Sequence, residues 1–392
     1  MTDILDLDIG EMPGCGFDCV CGRRHSVDIR RILTGSGVLP GLVEILEPFR
    51  KGGLFLIADS NTWEVCGDKV GALLSGAGLK YKSFIFKTEK PLVPDERAAG
   101  RLLIEAEGDI SAIVAVGSGT INDLARLLSD RLGIPYVIVA TAPSMDGYAS
   151  VVSPLIVEGF KRTYGAVYPY AVVADLDIVK NAPADMIKAG FGDVAGKLTA
   201  LADWELSRRI NGEYYCGTVV RLVEKGVAKC MESAAGLAGR DEASVGSLVE
   251  ALILTGLAMG MVGNSRPASG SEHHLAHYWE MDALAAGRGH ALHGNSVGAA
   301  AVVISAMYDN LAGELPEGFE YPRTSHLEAL LEKAGACANP AGIGIDRRLF
   351  RDSILNAYKI RDRYTIMRLA VSSGKLEELA EVLTRRFYEH ES

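Results

Sequence analysis

The sequence has no excess of basic charge. Its 392 residues hold 40 lysines and arginines against 50 aspartates and glutamates, a net charge of −10. A surface of that sign is not built to coat nucleic acid or an anionic membrane, so neither is expected as a partner. It leaves room for a local basic pocket that takes an anionic metabolite. The opening MTDILDLDIGEMPG lacks the basic segment and apolar stretch of a secretory leader. The longest nearly apolar run in this reading, VGAAAVVISAMY at 297–308, falls short of a membrane span. Cysteine is sparse and odd in number, with seven at 15, 19, 21, 66, 216, 230 and 337. That count does not suggest a disulfide framework, and the expectation is a cytoplasmic chain with reduced thiols.

What is present is enough apolar material for a large core. Hydrophobic residues make up 48% of the chain and mean hydropathy is +0.15, which argues against wholesale disorder. The length suits two domains. From about residue 53 to 180, short apolar runs alternate with helical spacing. GLFLIAD (53–59), YKSFIFK (81–87) and SAIVAVG (111–117) read as strands, and PYVIVATAPS (135–144) as another strand and turn. Residues 64–78, 96–108 and 120–133 read as helices between them. This is the pattern of a parallel sheet with crossover helices. In SPLIVEGFKRTYGAVYPYAVVADLDI (153–178), two β-rich runs flank a Gly/Tyr/Pro connection, as in a hairpin beside the main sheet. Strand signals largely stop after NAPADM (181–186). The expected fold is an α/β, Rossmann-like domain over 1–182 and an all-helical domain over 183–392.

Two turns follow strands in the first half. AIVAVGSGTINDLAR (112–126) places Gly117, Ser118 and Gly119 between a buried strand and a helix. Small residues there let a pyrophosphate approach the backbone, and the helix start offers N–H groups and a positive dipole end. The GxGxxG fingerprint is missing, so an ordinary tight turn explains the segment as well. Asp59, at the end of the first strand, can accept from a ribose hydroxyl or simply start the next helix. In TAPSMDGYAS (141–150), Thr141, Ser144, Asp146 and Ser150 fall at the carboxyl end of the sheet, where such folds bind ligands.

The chain has eight histidines, and five of them (His273, His274, His277, His290, His293) fall within SEHHLAHYWE and the segment after it. His273 and His277 are four apart on one helix face. His293 returns from another element. A carboxylate is available in Asp193, read as lying at the start of a helix. An Asp/His/His set suits zinc, nickel, iron or cobalt and leaves positions open for substrate oxygens. A second cluster, GCGFDCVCGRRH with Cys15, Cys19, Cys21 and His25, can be read as a metal knuckle. It has no second half, and the plainer reading is a loop with reduced thiols.

These segments together carry a resemblance. AVGSGTINDLAR, TAPSMDGYAS, GFGDVAGKLTALADWELS, SRPASGSEHHLAHYWEM, LHGNSVG and RDRYT resemble, in order, the NAD-dependent sn-glycerol-1-phosphate dehydrogenases, especially the bacterial arabinose-operon type. These belong with glycerol dehydrogenase, iron-containing alcohol dehydrogenase and dehydroquinate synthase. FDCVCGRRH also looks like the CxCGxxH opening of many relatives. The resemblance implies that Asp193, His273 and His293 hold a divalent metal. It implies that His277 and Asp146 contact substrate, with Asp193 touching both substrate and metal. Gly117, Ser118, Gly119, Thr120, Ile121, Thr141, Ser144 and Ser150 become NAD contacts, with the site in the interdomain cleft. A homodimer in phospholipid metabolism is the family expectation.

One departure stands out. Many relatives carry a lysine just before the ADLD strand, where this chain has Val167. If that lysine serves a phosphate, then Lys161, Arg162, Arg266, Arg361 or Arg363 must replace it, or the substrate is an unphosphorylated polyol or another sugar-alcohol phosphate. A dehydroquinate-synthase-like cyclase ranks lower, because such relatives usually place glutamate where Asp193 stands. A metal- and NAD-binding regulator without turnover is the remaining alternative.

Overall fold

The computed structural model describes residues 3–87 and 91–389. Ten strands lie in the first half: β1 (Gly16–Asp18), β2 (Arg24–Ser26), β3 (Arg31–Gly35), β4 (Gly53–Asp59), β5 (Tyr81–Phe86), β6 (Ile110–Gly117), β7 (Tyr136–Ala140), β8 (Val152–Val157), β9 (Phe160–Gly165) and β10 (Ala171–Asp175). β1 pairs with β2, and β8 with β9, as antiparallel hairpins. The other six form one parallel sheet in the order β3-β10-β7-β6-β4-β5. Beyond Asp175 the described residues are helices and connections.

Alternate side chains of each strand enter two apolar layers. Phe55, Ile57, Ile113, Ala115 and Ile138 pack with Leu124 and Leu128 of helix Gly119–Leu132. Leu54, Leu56, Val114, Val116 and Val139 pack on the other face, with Val70 and Leu74 of helix Asp68–Gly76. Both faces are covered, which is why GLFLIAD and SAIVAVG read as unbroken apolar runs.

The order of the strands places the binding crevice. The chain leaves β4 for β5 at one edge, then returns to β6 and runs through β7 to β10 in the other direction. The reversal falls between β4 and β6, and the helices that follow these two strands lie on opposite faces. A crevice therefore opens outside their carboxyl ends. Asp59 ends β4 and Gly117 ends β6.

Four details differ from the sequence reading. The hairpin closes at Glu158–Gly159, both with positive φ, rather than at the Gly/Tyr/Pro connection. The second run, AVVAD, is β10 of the main sheet. A sixth strand, β3, was missed because RILTG, pairing on one side only, carries exposed Arg31 and little apolar signal. The longest apolar helix is Glu242–Val262, not 297–308; Glu250 breaks its run in the sequence. By length and composition it is able to cross a membrane, but 78% of its apolar window is buried inside the protein, as a core helix would be.

The fourth difference concerns Asp193. It sits well inside helix Ala184–Asn211, not at its start. The glycines of AGFGD suggest a helix boundary, yet they serve close helix packing. A Cβ at Gly192 would lie 2.3 Å from the Gly294 carbonyl oxygen, and one at Gly294 would lie 1.8 Å from that of Ala189. Helices Ala184–Asn211 and His293–Asn310 thus meet backbone to backbone, one turn from Asp193 and beside His293. Gly192→Ala should cost about 2 kcal/mol or more by overpacking. The check is a lower urea midpoint followed by circular dichroism; an unchanged midpoint would show that the helices can separate at no cost.

Candidate active site

The residues named for a nucleotide lie at or just beyond the carboxyl ends of β4, β6 and β7. Gly117 cannot carry a side chain, because a Cβ there would lie 2.6 Å from Cβ of Ile121. Ser118 and Gly119 turn the chain into helix Gly119–Leu132, with Thr120 and Ile121 in its first turn. A 14-residue helix thereby points its N-terminus at the crevice. Thr141 follows β7 and donates its N–H to the Gly117 carbonyl at 3.1 Å. Thr141, Ser144 and Ser150 are buried. Asp59 uses Oδ1 to cap the next helical turn, accepting from the Thr62 N–H at 2.8 Å. The turn-aspartate role is therefore real, and it involves only one carboxylate oxygen.

On the helical side, three separate elements converge. Asp193 comes from Ala184–Asn211, His273 and His277 from Ser271–Ala285, and His293 from the start of His293–Asn310. Single donor atoms of Asp193, His273 and His293 lie within 4.8 Å of one another. His273 Nε2 is 3.7 Å from Asp193 Oδ1. The His277 ring lies 5.9 Å from that of His273 and 5.5 Å from that of His293. Three of the five clustered histidines meet at this point, while His274 is buried among Arg361, Arg363 and Arg266. His290 is exposed and bonds the Ala291 carbonyl.

Two glutamates missed by the sequence reading orient the rings. Glu272 Oε1 is 2.8 Å from His273 Nδ1, and Glu280 Oε1 is 2.7 Å from His293 Nδ1. A carboxylate can only accept, so each Nδ1 carries the hydrogen and each Nε2 lone pair faces the shared space. Burial, then nearby Lys197, holds His273 well below the usual imidazole value. Burial, then Lys161, does the same for His277. Both rings are therefore neutral, the form that ligates a metal. His277, Glu280 and His293 also approach one another as a second possible donor set. In that set Glu280 and His293 are hydrogen-bonded to each other at 2.7 Å, whereas Asp193 Oδ1 and His273 Nε2 lie 3.7 Å apart with no hydrogen between them, so the set containing Asp193 is the better one. Both glutamates stand inside SEHHLAHYWE, where their proximity to histidine was the available signal.

Lys197 is the other residue missed. It lies one helical turn after Asp193 and is fully buried. Its Nζ is 2.5 Å from Asp193 Oδ1 and 2.8 Å from Asp146 Oδ2. Burial alone would favour the neutral amine, but Asp146 and Asp193 raise its pKa and keep it charged. The backbone N–H of Asp146 also donates to Asp193 Oδ2 at 2.9 Å. Asp146 is thus brought to Asp193 and fixed there.

The five basic residues proposed to stand in for the lysine at Val167 separate clearly. Val167 is 38% exposed in the loop before β10. Arg162 is a surface residue near Glu158, and Arg266 is taken by Glu213 at 2.7 Å. Lys161 is bound to Glu280. Arg361 and Arg363 are half-buried and bond only neutral groups. Arg361 donates to Ser265 and Ser269 hydroxyls at 3.3 and 3.0 Å. Arg363 donates to the Ser265 hydroxyl at 2.9 Å and the Ser269 carbonyl at 3.1 Å. Among the described residues neither has a carboxylate partner. Burial, then Arg361, lowers the Arg363 pKa to about 10.

A Rossmann-like crevice facing a carboxylate–imidazole cluster defines a class. A profile of the iron-containing alcohol dehydrogenases matches residues 33–183. Solved structures of the same fold include glycerol dehydrogenase from Schizosaccharomyces pombe and maleylacetate reductase from Rhizobium sp. The first has a TM-score of 0.68 at 17% identity over 91% of this chain and 90% of that one. The second has a TM-score of 0.68 at 16% identity over 93% and 97%. Sequence similarity is closer to proteins named glycerol-1-phosphate dehydrogenase (NAD(P)+). That of Halalkalibacterium halodurans is 36% identical over 89% of this chain and 94% of its own. That of Methanosarcina mazei is 32% identical over 90% and 94%. This chain belongs to the glycerol-1-phosphate dehydrogenase family, within the metal-dependent, NAD(P)-linked oxidoreductases.

The arginine-rich surroundings also reach His274, which is fully buried. Burial, then Arg361 and Arg363, pushes it from 6.5 to about 3. The unfolded chain takes up this proton near pH 6.5, whereas the folded chain resists it down to about pH 3. Stability is therefore full above pH 6.5 and falls below it by about 1.4 kcal/mol per pH unit for this group. His274→Gln should flatten that part of the slope in denaturant titrations between about pH 6 and 4. Identical slopes in variant and wild type would mean that His274 is protonated in the fold.

Proposed function

We propose that this chain is a metal-dependent dehydrogenase that interconverts dihydroxyacetone phosphate and sn-glycerol 1-phosphate using NAD(H). The observation that carries the phosphorylated substrate is the pair Arg361 and Arg363. Two half-buried guanidinium groups without carboxylate partners, of which Arg361 interacts electrostatically with His273 and His277, would suit a phosphate dianion. They take over the task expected of a lysine at the Val167 position.

In this reading Asp193, His273 and His293 would hold one divalent ion, with zinc or nickel preferred and iron or cobalt usable. The preoriented N/N/O donor set, with Asp193 and His273 buried and His293 partly so, fits such an ion. When bound, the ion polarises the substrate oxygen as a Lewis acid while NADH supplies the hydride. Glu272 and Glu280 keep the two ligand rings in register. Lys197 holds Asp193 and Asp146 together, so Asp146 meets a substrate hydroxyl from a fixed position. His277 is neutral and only partly buried, and it passes a proton between solvent and the substrate oxygen. Across the cleft, Gly117, Ser118, Gly119, Thr120, Ile121, Thr141, Ser144 and Ser150 bind the dinucleotide. The free oxygen of Asp59 faces the ribose, which favours NAD over NADP. We place the boundary near residue 182, with 1–182 binding NAD and 183–392 carrying the metal. The active form is a homodimer in the cytoplasm, supplying phospholipid metabolism.

The experiment is NADH oxidation by metal-stripped protein, with single metals added back and dihydroxyacetone phosphate compared with dihydroxyacetone. Oxidation is expected to need both a metal and the phosphate. Asp193→Asn and His273→Ala should each abolish turnover while leaving the circular dichroism unchanged; full metal-dependent activity in either would overturn the ligand set. Arg361→Ala or Arg363→Ala should raise KM for the phosphorylated substrate about 30- to 100-fold, the worth of a charged hydrogen bond. Equal activity on dihydroxyacetone would instead move the substrate to an unphosphorylated polyol, the reading that Val167 motivates.

A further inference from the structure

We propose a second metal site, away from the active centre, in which Cys19, Cys21, His25 and Cys216 bind one structural zinc ion. The donor atoms of these four residues all lie within 4.8 Å of one another. Cys19 Sγ is 3.6 Å from Cys216 Sγ, and His25 Nε2 is 3.3 Å from Cys21 Sγ and 3.4 Å from Cys216 Sγ. Tetrahedral zinc with Zn–S bonds of about 2.3 Å spaces two thiolates about 3.8 Å apart and a thiolate and an imidazole nitrogen slightly less. The observed separations are of that size. A Cys19–Cys216 disulfide would need the sulfurs at about 2.05 Å and would leave Cys21 and His25 with no reason to converge.

The surroundings are arranged for a ligand as well. His25 is buried, and its Nδ1 lies 2.7 Å from the Met261 carbonyl oxygen. A carbonyl only accepts, so Nδ1 carries the hydrogen and the Nε2 lone pair is directed at the thiols, as in histidines that bind zinc. The loop between β1 and β2 is folded into a knuckle. The Cys19 N–H donates to the Arg23 carbonyl at 3.0 Å, and the Gly22 N–H donates to the Cys19 carbonyl at 2.9 Å. Gly22 has φ of +83°, a conformation that suits glycine and turns Cys19 and Cys21 to the same side. The Tyr214 hydroxyl lies 3.2 Å from Cys21 Sγ and the Thr218 hydroxyl 3.4 Å from Cys19 Sγ. Three cysteines and a histidine close a four-ligand shell, which marks a structural site rather than a catalytic one.

This completes and corrects the N-terminal cluster in the sequence. Cys15 is not part of it; its thiol faces the Glu11 carbonyl at 3.5 Å. The missing ligand is Cys216, 197 residues beyond Cys19 and immediately before helix Gly217–Glu232. The ion would staple the β1–β2 hairpin to the helical half. It would also steady the Glu213–Cys216 segment, whose Glu213 holds Arg266.

The test is Co²⁺ loading of the metal-stripped full-length protein. The active-site donors contain no thiolate, so thiolate-to-cobalt charge-transfer absorption reports the second site alone. The wild type should show that absorption and bind about two equivalents per chain. Cys216→Ser or Cys19→Ser should lose the absorption and one equivalent, whereas His273→Ala should keep the absorption and lose the other. Cobalt binding without charge-transfer absorption would overturn the site, as would peptide mapping that finds a Cys19–Cys216 disulfide. Both readouts are made on the wild type, so a variant that fails to fold does not decide the matter.

Discussion

The arrangement depends first on how closely two helices approach. Asp193 and His293 are 100 residues apart in sequence, and they share one space because Ala184–Asn211 and His293–Asn310 touch backbone to backbone at Gly192, Gly294 and Gly298. Side chains at these points would collide with the facing backbone and force the helices apart, which would disturb the spacing of the donor atoms. The glycines weaken each helix locally, and buried packing offsets that cost. The donor cluster is thus fixed by a close helix–helix contact rather than by loops.

The second determinant is topological. In an open parallel sheet the crevice lies where the strand order reverses, and here β4 and β6 carry Asp59 and Gly117 to that point. The TAPSMDGYAS turn belongs to both halves. Thr141 is tied to Gly117 at one end, and the Asp146 N–H is tied to Asp193 at the other. Gly190 lets the helix pass directly against this turn, since a Cβ there would lie 1.8 Å from the Pro143 carbonyl oxygen. The nucleotide side and the histidine side are joined through one short segment of backbone.

Much of this was legible in the sequence, and the remainder was not for identifiable reasons. Strands buried on both faces announce themselves as apolar runs, so β4 and β6 were read nearly to the residue and β7 together with its turn, while the edge strand β5 showed as an alternating run. β3 and the true hairpin turn were missed, because an edge strand with an exposed arginine and a two-residue Glu-Gly turn carry weak signals. The imidazole cluster was visible as composition. Glu272, Glu280 and Lys197 were not, since a charged residue on a helix is ordinarily solvated and only the fold shows these to be buried. Cys216 was invisible for a different reason: nothing local links it to the CxC segment nearly two hundred residues earlier.

The distribution of charge in the site follows from which groups find partners. Glu280 is shared between His293 and Lys161, Glu272 serves His273, and Asp146 and Asp193 share Lys197. These carboxylates are satisfied within the protein, and Asp193 Oδ1, the oxygen that faces His273, also accepts from Lys197. The guanidinium groups of Arg361 and Arg363 rest on hydroxyls and a carbonyl instead. The two half-buried cations touch no carboxylate, and burial, then the Arg361 charge, lowers the pKa of Arg363 to about 10 despite the more distant Glu213 and Glu272. A dianion placed there would supply a counter-charge, while the neutral imidazoles stay available as ligands. In the function proposed above, one substrate would be held by its phosphate at the arginines and by its oxygen at the Asp193, His273 and His293 end.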